Sequence, residues 1–414
     1  MTSEAGKSLP NRAIGLRVRN CESCHGNDLE QLWRQSFTAR TRLGQYRFDV
    51  NNVICRNCGF VFVSPVFDEA DLADYYAGSF SAFAGAAPDY DVAKRLAFLD
   101  NVVPRGDLFI EVGANRPTEF HRRLKEIYGK VTTVEINDSV SSDHRSLATI
   151  PDAGADVVAH YFVLEHIPQV MKFLKECARM LRDGGMMICE VPDILMYPQD
   201  PSALQLYEHT NHFSREALRE LAEQVGFVEI SVSAEYCSRS FGFAAAFRKS
   251  VPHDARVSQA TGQYRRNREL FLGGVRNLER SEAEMDHSYK TFQTYQDRGS
   301  SVVLWAANDL MARFLGRCSC LDNATIVDSN PEKASVFSPL MVFTPDAAAD
   351  QIRCAKAIFI FTNFHAADIL RQIEGSLGKT FDKGAVHVVD PSSDGSRGFV
   401  DRPSLRDGLG ETRA

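Results

Sequence analysis

Long apolar runs are missing from this chain. No stretch approaches the roughly 20 residues that a membrane-crossing helix requires. The opening "MTSEAGKSLPNRAIGLRVRN" has no apolar core of the kind a secretory leader carries. Blocks of lysine or arginine are missing as well: 47 basic and 54 acidic residues are interspersed, for a net charge of -7, which argues against nucleic acid as a partner. Together these absences predict a cytoplasmic protein with no membrane partner, its ten cysteines held mostly reduced. A hydrophobic share of 44% and a charged share of 24% are those of an ordinary globular protein, and 414 residues are enough for two or three domains.

Glycine is scarce where a nucleotide-binding loop would need it. After the apolar run "FIEV", the pattern E-x-G-x-G-x-G reads Glu111-Val112-Gly113-Ala114-Asn115-Arg116-Pro117. Repeated glycine lets such a loop turn sharply and approach its ligand without a Cβ in the way. Asn115 tolerates a left-handed backbone, whereas Pro117 cannot take positive φ and donates no N–H. Pro117 does suit the first turn of a helix over "TEFHRRL". The residues leave two alternatives open: a working loop of altered shape, or the remnant of one.

What is present begins with cysteine. Cys21-Glu22-Ser23-Cys24 and Cys55-Arg56-Asn57-Cys58 are two C-x-x-C pairs. Each pair places two thiolates on one tight turn, and two such turns supply four sulfur ligands for a structural zinc ion. His25 adjoins the first pair, but four sulfurs suffice. Cys177, Cys189, Cys237, Cys318, Cys320 and Cys354 read as small packing residues.

From residue 90 onward, helical and apolar segments alternate. "DVAKRLAFLDNV", "TEFHRRLKEIYG" and "VMKFLKECARML" carry helical spacing, and "LFIEV", "KVTTVEIN", "ADVVAHYF" and "MMICEVPD" read as strands. That alternation predicts an α/β fold with a parallel, doubly wound sheet, whose ligands bind beyond the carboxyl ends of the strands. Glu111, Glu135 and the segment from His160 to His166 fall on that rim. Glu135 ends its strand as an acid able to accept hydrogen bonds from ribose hydroxyls. "SLATIPD" is expected as an abbreviated further strand, and residues 231–248 as an antiparallel pair closing the sheet. Residues 255–297 have helical spacing, with Gly273-Gly274 as an expected break, and Ser214 reads as a helix N-cap.

"FVLEHIPQVMKFLKECARMLRDGGMMICEVPD" and "YEHTNHFSREALRELAEQVGFVEISV" resemble class I S-adenosylmethionine-dependent methyltransferases. With the four-cysteine front and the C-terminal "SVVLWAANDLMARFLG" and "ATIVDSNPEKASVFSPLMVFTPDA", the chain resembles the zinc-containing sugar C-methyltransferases. The resemblance implies a zinc-binding N-terminal module at 15–70, a Rossmann-like methyltransferase domain at 71–250 and a second Rossmann-like domain at 299–395, while helical spacing gives a connector at 251–298 and the polar, Gly/Arg-rich composition of 396–414 a disordered tail. It implies S-adenosylmethionine held by Glu111, Gly113, Asn115, Glu135 and His160, and a nucleotide-linked sugar or related small molecule as acceptor. His209 matches the general base, with Glu208, His166, Tyr207 and Tyr76 (or Tyr75) around the acceptor. Tyr207 and His212 replace a histidine and a tyrosine of the family stretch. The second reading is a catalytically lapsed relative that binds a sugar nucleotide or a protein partner through the same scaffold. A strand-end acid, Asp328, makes a nucleotide site in the C-terminal domain conceivable, although Ala306-Ala307-Asn308 replaces the glycine turn there.

Overall fold

The computed structural model describes residues 11–12, 15–41, 44–68, 71, 90–103, 106–114, 118–137, 140–206, 208–250, 261–318, 320–331, 333, 340–362 and 365–389. The expectations for Tyr75, Tyr76, Asn115, Pro117, Tyr207 and the tail lie outside these residues. The chain divides into two compact units, Met1–Arg276 and Asn277–Ala414. Among the described residues no helix is long and apolar enough to cross a membrane.

The first unit contains a hairpin of β1 (Leu29–Thr41) and β2 (Gly44–Cys55), to which β3 (Val61–Val63) adds antiparallel. There follow α1 (Val92–Val102), β4 (Leu108–Val112), α2 (Glu119–Ile127), β5 (Lys130–Val134), β6 (Ala155–Tyr161), α3 (Val170–Met180) and β7 (Leu181–Pro192). The two-residue β8 (Asn211–His212), α4 (Arg215–Glu223), β9 (Phe227–Ser233) and β10 (Gly242–Lys249) come next. The central sheet has six strands in the order β9-β10-β7-β6-β4-β5. Strand β10 runs antiparallel to both β7 and β9, while β7, β6, β4 and β5 are mutually parallel. This is the doubly wound arrangement expected, and the antiparallel closing pair expected at 231–248 is formed by Phe227–Ser233 and Gly242–Lys249.

Alternation along the strands explains the two packed layers. Phe109, Val157, Ala159 and Ile188 face Phe98, Leu99, Phe120 and Leu124 of α1 and α2. Ile110, Val158, Met187 and Cys189 face Leu174, Cys177, Leu218 and Leu221 of α3 and α4. Ser214 caps α4 by accepting a hydrogen bond from the Ala217 N–H at 3.2 Å, as its position predicts.

Three expectations are corrected. "SLATIPD" contains a 3₁₀ turn at Leu147–Thr149 rather than a strand, and among the described residues beyond β5 the backbone makes a single bridge, Val134 to His144. Too few residues separate β5 from β6 for a helix and a strand. Gly273-Gly274 does not break α5 (Thr261–Asp297), which runs through both. A Cβ on Gly274 would lie 2.9 Å from Tyr197 Cβ and 3.0 Å from Leu204 Cδ1, so glycine here permits close helix contact. Finally, Cys177, Cys189 and Cys237 are buried packing residues, but Cys320 and Cys354 are exposed.

The second unit holds a five-stranded, wholly parallel sheet. In the order of the chain its strands are β11 (Val302–Trp305), β12 (Ala324–Val327), β13 (Val342–Phe343), β14 (Ala357–Ile360) and β15 (Val386–Val388). Asp328 is committed to its own backbone: its oxygens accept from the Ala307 N–H at 2.8 Å and the Asn330 N–H at 2.7 Å. Ala306 takes φ 75° in the turn those bonds hold.

Candidate active site and metal centre

Four thiols converge at the front of the first unit. Cys21, Cys24, Cys55 and Cys58 place their sulfurs within 4.8 Å of one another, the closest contacts being Cys24 to Cys55 at 3.4 Å and Cys21 to Cys58 at 3.5 Å. Each C-x-x-C turn is closed by its own backbone: the His25 N–H donates to Cys21 O at 2.8 Å and the Gly59 N–H to Cys55 O at 2.8 Å. The separations far exceed a disulfide bond and lie near the ~3.8 Å expected between sulfurs tetrahedrally bound to one zinc at ~2.3 Å. The donor set therefore fits a closed, four-sulfur metal site. His25, exposed, stands outside it.

At the carboxyl rim of the central sheet, Gly113 follows β4 with φ 72°. A Cβ there would lie 2.4 Å from Val163 Cγ2, so this one retained glycine is required by both conformation and space. Glu135 follows β5 and is half-buried, with Oε1 accepting from the Asn137 N–H at 3.0 Å. Its neighbour Ile136 is 50% exposed and offers apolar surface beside the acid.

Glu111 points to the α1–α2 face and is buried, Oε2 lying 3.2 Å from His121 Nε2. His121 Nδ1 accepts from the Thr118 N–H at 3.1 Å, and Thr118 Oγ1 lies 2.7 Å from Tyr90 OH. Alongside, the buried Arg95 guanidinium lies 3.1 Å from Glu190 and stacks 3.9 Å from the ring centroids of both Tyr90 and Tyr161. Polar side chains thus pack between α1, α2 and the end of β4. None of Arg95, His121 or Glu190 carries a recognisable sequence signal, because each is defined by what it meets in space.

The expectation for His160 fails. One residue before the end of β6, its ring alternates inward and meets Phe173 edge-on with centroids 5.2 Å apart. It is fully buried and both ring nitrogens lack a hydrogen-bond partner, so burial drives its pKa down to about 3. It is not a rim residue.

The histidines of the two quoted motifs do meet. A 3₁₀ turn, Leu164–His166, carries Glu165 and His166 to the rim beyond β6. The segment before β8 brings His209 against them, with the His166 and His209 rings 4.8 Å apart and edge-to-face. Glu165, His166 and His209 each offer a ligand or proton-transfer atom within 4.8 Å of the others. The two segments are clamped by backbone contacts. The Thr210 N–H donates to Glu165 O at 2.8 Å, and Asn211 Nδ2 donates to Ile167 O at 2.8 Å. Arg19 closes the clamp from the four-cysteine segment: its Nε donates to Val63 O at 2.9 Å, and its terminal nitrogens donate to Pro168 O, Thr210 O and Asn211 Oδ1.

Burial sets the protonation states. Desolvation lowers His166 to about 4, partly offset by a hydrogen bond to the Glu208 backbone. It holds His209 well below the usual histidine range, with His166 and His212 adding to the effect. Glu165 is pushed up to about 8 by desolvation. Glu208 is half-buried in the turn before His209. His212, also weighed from the motif, is structural: it donates from Nε2 to Asn52 Oδ1 at 2.8 Å and accepts at Nδ1 from Tyr197 OH at 2.7 Å. Glu165 was readable in L-E-H-I but carries no expectation above; its role appears only once its burial and neighbours are known.

Residues 87–232 match the family model described as Methyltransferase domain. The middle of this chain is thus similar to a methyltransferase domain. A Mycolicibacterium smegmatis protein named as a probable S-adenosylmethionine-dependent methyltransferase is 36% identical over 122 residues, covering 28% of this chain and 47% of the relative. A Mycobacterium tuberculosis protein of the same printed description is 31% identical over 84 residues, or 20% of this chain and 30% of its own length. The chain thus spans less than half the length of the curated relatives it matches. Among solved structures, an S-adenosylmethionine-dependent methyltransferase from Mesorhizobium loti aligns over 38% of this chain and 100% of its own, at 12% identity and a TM-score of 0.33.

Proposed function

We propose that the protein is an S-adenosylmethionine-dependent methyltransferase that methylates carbon of a nucleotide-linked deoxysugar in the cytoplasm, with a structural zinc at Cys21, Cys24, Cys55 and Cys58. The observation that carries this reading is the buried Glu165–His166–His209 group at the rim of a methyltransferase domain. Gly113 and Glu135 would hold the donor, with Ile136 beside its base; the donor, when bound, supplies an electrophilic methyl group. The remaining work falls to the chain. A carbon nucleophile requires removal of a proton next to a carbonyl and a donor for the oxygen that becomes negative. His209 stays neutral near pH 7, and its Nδ1 has no hydrogen-bond partner, so it can take that proton. Glu165 keeps its proton at pH 7 and its Oε2 is likewise unpartnered, so it can donate to the oxyanion.

Calorimetric titration with S-adenosylmethionine tests the reading. Micromolar binding that Glu135→Ala abolishes supports it. No detectable heat at millimolar donor removes it in favour of a non-catalytic scaffold, the reading favoured by the sheet ending at β5.

A further inference from the structure

Arg239 has no part in the mechanism above, yet its surroundings are those of a receptor. It sits in the turn between β9 and β10, its guanidinium carbon 5.0 Å from the ring centroid of Phe162 and 5.7 Å from that of Phe241. The two rings lie 5.4 Å apart. Among the described residues no carboxylate pairs with this guanidinium, and its Nε is buried without a hydrogen-bond partner. Other buried arginines of the same unit are satisfied: Arg95 by Glu190, Arg19 by backbone carbonyls and Asn211. An arginine presents five N–H groups in a rigid fork, so one left unpaired at a half-buried position calls for an absent acceptor.

Its location identifies the pocket. Arg239 packs on Phe162, which follows β6 directly and precedes the Leu164–His166 turn that carries Glu165 and His166, so the guanidinium lies at the same rim. The Phe162 flanking it takes φ 56°, a left-handed conformation costly for an aromatic residue, held by its N–H donating to Glu190 O at 2.7 Å. Backbone strain is thus retained where it sets a ring against the guanidinium.

We propose that Arg239, packed against the touching rings of Phe162 and Phe241, is the anion-recognition residue of the acceptor pocket and pairs with a phosphate or carboxylate oxyanion carried by the acceptor. This rests on the reading of the Glu165–His166–His209 group as the acceptor site. The aromatic rings fix the guanidinium without neutralising it, leaving its fork free for a two-point contact.

The test compares wild type, Arg239→Gln and Arg239→Lys by calorimetry with uridine diphosphate, D-glucuronate, the neutral controls uridine and methyl glucoside, and S-adenosylmethionine. At least one anion should bind wild type, weaken about 10- to 100-fold in Arg239→Gln and recover in part in Arg239→Lys, while the controls and S-adenosylmethionine are unchanged. Loss for uridine diphosphate alone assigns a phosphate, and loss for glucuronate alone a sugar carboxylate. Anions that bind all three proteins equally, or that fail to bind wild type at millimolar concentration, overturn the proposal. Failure of S-adenosylmethionine to bind wild type removes the donor reading while the anion comparison still stands.

Discussion

His209 and Glu165 answer different questions about the same reaction. If His209 takes the proton, His209→Ala should lower kcat by about 10²- to 10⁴-fold while donor affinity is retained. Unchanged turnover would move the base elsewhere. Glu165 should govern the alkaline limb: donation needs its proton, so the rate should fall as pH rises through about 8, and Glu165→Gln should remove that fall. Stability responds in the opposite direction. His160 and His212 are held near 3 and His166 near 4, below the ordinary 6.5 of the unfolded chain. Their contribution is present above 6.5 and is lost as pH falls towards those values, on the order of 2 kcal/mol for each by pH 5. Glu165, raised instead, offsets part of this between 8 and 4.5. Urea unfolding at pH 7.5 and pH 5 should show a lower midpoint at pH 5; equal midpoints would show that these rings are not neutral in the folded chain.

Among the elements, the α/β alternation and the closing antiparallel pair were legible because apolar periodicity reports which faces are buried. The S₄ group was legible because ligand spacing in a C-x-x-C turn is local. His160 was misread because the strand period does not say where a rim begins, and a single residue turns a ring from solvent to core. Arg19 was invisible: its acceptors, Val63, Pro168, Thr210 and Asn211, lie up to 192 positions away in the chain. Replacing it by Met should cost roughly 2–4 kcal/mol, since several carbonyls lose a charged donor together. If the clamp also positions His209, Arg19→Lys should lower kcat more than it raises the donor Kd. Gly274→Val should destabilise by roughly 1–3 kcal/mol through its contact with Tyr197, measurable as a lower thermal midpoint.

For the whole molecule, the two units differ in what their sheet rims carry. The first brings titratable side chains together; in the second, Asp328 uses each carboxylate oxygen to hold a backbone N–H of its own turn. Asp328→Asn should therefore lower stability, with no change in nucleotide affinity. Metal analysis should find one zinc for each chain, and Cys55→Ser or a chelator should lower the thermal midpoint.

Strand β8 is only two residues long, yet Asn211 and His212 pair with Phe62 and Val61 of the cysteine-bearing sheet, immediately after the imidazole proposed to do the chemistry. A chain trimmed to begin at residue 90 would keep every strand of the six-stranded sheet and leave this short segment without its neighbour. Anyone dissecting the protein should find that the thiol cluster and the reactive imidazoles stand or fall as a single mechanical object.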